Sequence, residues 1–253
     1  MTFLEIQAKI DIAPALDFGD IINQSIELFK KVWLKGFIVV LIIMLLAFGV
    51  GFIFGLIGLA QGPNFFDRSF NSNELFNWFS INAIYSIPQT IIVSSFTIAM
   101  VGAFYRICRE QESGTSAQDD YFYFFKREYS GKLLLLGILY TLIATVAQLL
   151  FFIPYIYAFV PLSYFSIIFA NNPDLGETEI IKASFKLGNK KWLLTFGTMF
   201  ITGILGMLGI LACGIGVLFT ISIVYLPVYL IYKQVVGFDN MDEIDSIGEN
   251  QAF

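Results

Sequence analysis

Two stretches of the chain, residues 133–170 and 192–232, run for 38 and 41 residues without one charged side chain. As a single α-helix the first would be roughly 57 Å long, nearly twice the ~30 Å hydrocarbon core of a bilayer. Each run therefore reads as two membrane spans joined by a tight turn. Pro154 marks the first turn, because proline lacks a backbone donor and suits a helix start. Gly214-Ile215-Gly216 marks the second, because glycine accepts the backbone angles of a turn. Two shorter uncharged runs, 36–60 and 79–105, supply one span each. A soluble domain carries about 25% charged residues. This chain has 14% charged and 57% hydrophobic residues, more apolar surface than a soluble core hides.

The expectation is an all-α membrane protein. Six transmembrane helices, at about 36–60, 79–105, 133–152, 154–170, 192–212 and 215–235, form three hairpins. Residues 1–35 form a cytoplasmic N-terminal segment, 36–236 the membrane domain and 237–253 an acidic cytoplasmic tail. A β-barrel is excluded. Its strands alternate apolar and polar residues, whereas LIIMLLAF (41–48) and KLLLLGILYTLIATVAQLLFF (132–152) do not.

The basic residues give the orientation. Lys9, Lys30, Lys31 and Lys35 precede span one. Arg106, Arg109, Lys126, Arg127 and Lys132 follow span two. Lys182, Lys186, Lys190 and Lys191 follow span four, and Lys233 follows span six. Only Arg68 falls on the other side. Basic loops mark the cytoplasmic face, so both termini are expected there. The first apolar run is too long for the core of a signal peptide and has five acidic residues before it, so no cleaved leader is expected.

A basic, amphipathic segment precedes each pair of spans. Residues 17–33 carry Ile21, Ile22, Ile26, Leu28, Phe29 and Trp33 at helical spacing. Residues 178–192 carry Ile180, Ile181, Phe185, Leu187 and Trp192 in the same way. Residues 21–37 align without a gap onto 180–196, and eight of the 17 positions are identical: both Ile pairs, Ser25/Ser184, Leu28/Leu187, Lys31/Lys190, Trp33/Trp192, Leu34/Leu193 and Phe37/Phe196. The middle segment, 120–132, shares the character but not the letters. Each segment is expected to be a helix either lying in the headgroup plane or packing on its own hairpin. In the first case Trp33 and Trp192 are interface anchors, and Lys31 and Lys190 reach lipid phosphates.

FGDIINQSIELFKKVW (18–33) and GETEIIKASFKLGNKKWLLTFG (176–197) resemble the hallmark phrases of a broad bacterial family of six-span inner-membrane proteins. That family includes the membrane domain fused in some bacteria to glycerophosphoryl diester phosphodiesterase. The resemblance covers about residues 18–237 and implies fold and location. It carries no residue-by-residue chemistry. This chain has no acid-rich, histidine-bearing segment for a phosphodiesterase. The carotenoid-oxygenase label borne by some related sequences would need a four-histidine iron site.

The chain has no histidine and two cysteines, Cys108 and Cys213. The commonest metal ligand and general base are therefore missing, and no zinc site or cofactor is expected. A net charge of −5 gives no case for nucleic acid. No ionisable residue falls within a span away from its ends, which argues against ion coupling. Gln89 and Gln148 are either the lining of a polar cavity or interhelical hydrogen-bonding groups. Gly51, Gly55, Gly203 and Gly206 allow close helix packing, within one bundle or with a partner or second copy. Pro88, Pro161 and Pro227 suit either ordinary kinks or the broken helices of a transport site. The expected function is that of a non-enzymatic accessory or scaffold subunit in contact with lipid headgroups. The alternative is a transporter of lipids or small amphiphiles.

Overall fold

The computed structural model describes residues 1–57, 84–114, 119–150, 152–211 and 214–238. Gly58, Arg68, Cys213, positions 79–83 of span two and the tail from 239 lie outside the described residues. Among the described residues there are helices and no strands. Six helical stretches are long and apolar enough to cross a membrane: Phe18–Leu56, Ile87–Ser113, Arg127–Leu149, Ile153–Asn171, Trp192–Leu211 and Gly216–Val235. The chain is a multi-pass membrane protein by that criterion.

The first helix, α1 (Phe3–Asp11), was not anticipated from the sequence. The Thr2 hydroxyl accepts from the Glu5 N–H at 3.4 Å, and the Glu5 carboxylate accepts from the Thr2 N–H at 2.9 Å. This reciprocal cap satisfies two otherwise orphaned donors. Ile6 and Ile10 of α1 are fully buried, each contributing about 1.5–3 kcal/mol relative to exposure to water.

Helix α2 (Phe18–Leu56) starts at Asp17, whose carboxylate accepts from the Asp20 N–H at 2.9 Å. It runs unbroken for 39 residues. The sequence reading placed a separate helix ahead of span one, in the headgroup plane or packed on its hairpin; the structure has helix and span in one rod. No proline or cap interrupts the chain near Gly36. That glycine instead lets α2 approach span six, where an added Cβ would lie 2.3 Å from the Ser222 hydroxyl.

Span two is α3 (Ile87–Ser113), with Pro88 in its first turn and Gly114 closing it at a positive φ of 73°. Residues 120–125 form an aromatic plug where an amphipathic helix was expected. The 3-10 turn Tyr123–Phe125 buries Phe124 against Phe169 (5.0 Å) and Tyr129 (5.4 Å). Span three, α4 (Arg127–Leu149), follows directly. Span four is α5 (Phe152–Ser163) and α6 (Phe165–Asn171), interrupted at Tyr164. The turn between spans three and four thus falls before Pro154, which sits in the first turn of α5.

Helix α7 (Glu177–Lys190) is a separate helix, unlike its counterpart in α2. The break falls at Lys191, with φ −118° and ψ 25°. The first copy has buried Val32 at this position, and Phe29 and Lys30 where α7 has the poorer helix formers Gly188 and Asn189. Span five is α8 (Trp192–Met207) with a 3-10 end to Leu211. Gly214 turns the chain at a φ of 78°. Span six is α9 (Gly216–Thr220), a 3-10 segment (Ile221–Tyr225) and α10 (Leu226–Val235).

The two copies of the repeat bury the same positions: Ile21/Ile180, Ser25/Ser184, Leu28/Leu187, then Gly36/Thr195 and Val39/Thr198. α2 packs along α3 and span six, α3 also against α4 and α6, α5 against α4 and α7, and α8 against span six.

Candidate functional site

The densest convergence of polar and small side chains is the elbow between α7 and α8, where span four and α1 also meet. α7 begins with the Gly176 N–H donating to the Glu179 carboxylate at 2.9 Å. It buries Ile180, Ala183, Ser184, Leu187 and Gly188. A Cβ on Gly188 would sit 2.7 Å from Pro161 Cα, so α7 crosses span four at backbone contact. One residue on, Asn189 Oδ1 accepts from the Tyr157 hydroxyl at 2.6 Å.

Pro161 is inside α5. It has no N–H to give to the carbonyl four residues earlier, which is that of Tyr157. The Trp192 indole supplies the missing donor, Nε1 to Tyr157 O at 3.1 Å. Its ring stacks on Phe196 at 5.0 Å. Trp192 therefore ties spans four and five together. Trp33, in the other copy, lies 6.3 Å from the Phe219 ring and is half-exposed.

The lysines at the end of α7 bind protein rather than stand free. Lys186 Nζ reaches Asp11 Oδ2 at 2.7 Å and Gln7 O at 3.3 Å. Lys190 Nζ lies 3.4 Å from Asp11 O, and Lys191 Nζ donates to Pro14 O. Burial, and next the charge of Lys190, lower the Lys191 ammonium from the ordinary lysine value. On the other side of α1, Lys9 Nζ donates to Val236 O at 2.8 Å, capping the end of α10. Lys31 is exposed.

Other charges hold the same end of the bundle. Glu112 Oε2 accepts from the Tyr229 hydroxyl at 2.7 Å and from Lys233 at 2.8 Å. Lys35 meets Asp119 at 2.8 Å and Gln111 at 3.0 Å. Arg106 pairs with Glu110 and lies 3.6 Å over the Tyr123 ring. Lys132 donates to the carbonyls of Pro173 and Leu175.

Inside the bundle the polar groups are hydroxyls and one amide. Ser94 and Thr141 are 3.2 Å apart, Tyr164 and Thr195 are 2.7 Å apart, and Asn172 Nδ2 donates to the Tyr232 hydroxyl at 2.8 Å. Among the described residues, Asn172 Oδ1, Ser184 Oγ and Ser222 Oγ are buried without a hydrogen-bond partner. No group of three or more Asp, Glu, Cys or His able to hold a metal occurs among them. Cys108 is buried and free.

The remaining sequence candidates are dispersed. A Cβ on Gly51 would lie 3.4 Å from Gln89 Nε2, which puts Gln89 on the α2–α3 seam. Gln148 is half-buried near the end of α4. A Cβ added to Gly206 would lie 3.1 Å from the Ile221 backbone and one added to Gly203 3.8 Å from Val224, whereas one added to Gly55 would meet nothing within 4 Å. Among the tightest approaches is Gly209, which the sequence groups with Gly203 and Gly206, while Gly137 and Gly188 carry no such signal. Gly137 sits against Ser95, Gly209 against the Gly216 backbone, and Gly188 against Pro161. Pro161 carries a signal for the elbow, since a mid-span proline requires a donor for the carbonyl at i−4. The identity of that donor, 31 residues later, has no local signature.

No family model, curated protein or solved structure matches the chain.

Proposed function

We propose that this chain is a non-enzymatic accessory or scaffold subunit of a bacterial inner membrane, related to the six-span family that it resembles. In this reading its spans form three hairpins, both termini are cytoplasmic, and lipids and a protein partner or second copy are its ligands. The observation that carries the reading is the use made of its polar groups. Lys35, Arg106, Lys132, Lys186, Lys191 and Lys233 each hold one structural element to another or to itself. The interior hydroxyls mostly bond to backbone carbonyls one turn back, as Thr195, Thr198 and Thr202 do. Groups engaged this way support an architecture rather than a reaction.

Purification in a mild detergent or native nanodiscs is expected to recover a stoichiometric partner or a defined oligomer. A lone monomer would overturn the scaffold reading. The orientation has its own check. A cysteine placed at Arg68 should react with an impermeant maleimide only from the side opposite Lys31→Cys.

A second reading, transport of lipids or small amphiphiles, is favoured by the interruption of spans four and six at Tyr164 and at Ile221–Tyr225. Discontinuous helices build the sites of many transporters. Movement of a fluorescent phospholipid between leaflets of reconstituted vesicles would support this reading over the first.

A further inference from the structure

Helix α1 has two apolar sides. Ile6 and Ile10 face the protein and are fully buried. At 100° per residue, Leu4, Ala8 and Ile12 fall on the opposite side. Leu4 is 74% and Ile12 82% exposed, and Ala8 is exposed as well. Charged and amide groups occupy the edges between the two sides, at Glu5, Gln7, Lys9 and Asp11. An outward line of this kind is costly in water.

What adjoins this line decides its partner. Lys190 and Lys191 hold the Asp11 and Pro14 carbonyls, so the end of α1 is fixed beside the start of span five. Phe18 is seated on Gly197 of that span, where an added Cβ would lie 2.8 Å from its ring. Gly197 shares one face of α8 with Leu193 and Phe200, at i, i+4 and i+7. Both are lipid-facing apolar side chains on a spanning helix, and Leu193 is 79% exposed. Exposed apolar side chains thus lie on both sides of this lysine-held junction: Phe18 over Gly197, Leu193 and Phe200 at the span, and Ile12, Ala8 and Leu4 on α1. The Lys190 and Lys191 side chains reach the Asp11 and Pro14 carbonyls, on either side of Ile12 and Ala13. Cations flanking an inserted apolar line suit the phosphate level of a bilayer.

We propose that α1 is the membrane-surface helix of this protein, lying against the lipid with Leu4, Ala8 and Ile12 in the acyl–headgroup boundary. Segments 18–33 and 178–190 are then structural: the first belongs to a spanning rod and the second is covered by α1 and span four. The inference deepens the lipid-contact part of the proposed function. It rests on the chain being embedded in a bilayer and not on its being a scaffold.

The test uses the full chain in vesicles of phosphatidylcholine and phosphatidylglycerol. A Cys213→Ser background leaves the buried Cys108. Nitroxide labels are placed singly at Leu4→Cys, Ala8→Cys and Ile12→Cys, with Phe200→Cys as the lipid reference. Spin-label relaxation by oxygen and by a water-soluble nickel chelate is measured at each site. The expected result is a preference for oxygen at positions 4, 8 and 12, in the same sense as at position 200. Preference for the nickel chelate would place the face in water and overturn the proposal. Exclusion of both reagents would also overturn it, because a protein surface then covers the helix. Neither failure touches the scaffold reading, whose readout is the stoichiometry of the purified complex.

Discussion

Gly188→Ala is expected to destabilise the protein by about 1–3 kcal/mol, the cost of forcing a methyl group into a packed contact. The added Cβ would meet Pro161 Cα at 2.7 Å and the ring at 3.0 Å. Neither group can swing aside, because both belong to the backbone-locked proline of α5. Accommodation requires α7 to lift from span four. That movement strains the Tyr157–Asn189 bond and the Trp192–Tyr157 bond on the same crossing. Thermal unfolding in detergent measures the loss. Gly131→Ala is the control: nothing lies within 4 Å of its added Cβ in α4. There the substitution should be stabilising by roughly 0.5–1 kcal/mol, since alanine loses less freedom than glycine in a helix.

Trp192→Phe should cost about 0.5–1.5 kcal/mol, the net worth of one hydrogen bond, whereas Trp33→Phe at the equivalent repeat position should cost well under half as much. Phenylalanine keeps much of the stacking on Phe196 but removes the indole donor. The Tyr157 carbonyl, already without its helical partner because of Pro161, then has none. The bond is at an exposed position, so the loss is that of the hydrogen bond itself. Trp33 has only a tilted contact with Phe219 at 6.3 Å to lose. The pair of unfolding midpoints is the measurement. Equal effects would mean that the indole N–H is not what ties span four to span five.

The number of spans was legible because charge is excluded from hydrocarbon at a cost of several kcal/mol, so uncharged runs mark membrane crossings directly. The turn at Gly214 was legible for a similar local reason, since a positive φ there selects glycine. Helix α1 also left a local mark, the Thr2-x-x-Glu5 cap ahead of Ile6 and Ile10, but it lies in a segment read as flanking. The elbow was not legible. Gly188 is a glycine because Pro161 crosses it, and Trp192 donates because Pro161 cannot; both causes lie 27 to 31 residues away. The amphipathic stripe of 178–192 was seen, yet a stripe does not say whether lipid, span or another helix covers it. Here Lys186, Lys190 and Lys191 turn to α1 and the segment that follows it.

The repeat has also diverged mechanically. α2 is one rod roughly 58 Å long, so a tilt of about 10° at one end would sweep the other by roughly 10 Å. Its first four turns and its membrane portion cannot move independently. In the second copy the joint at Lys191 decouples α7 from α8. A force on the amphipathic part of the first copy acts as on a lever, and reaches the far leaflet at Leu56. In the second copy the same force meets a bend at Lys191 and passes to span four through Gly188, Asn189 and Trp192.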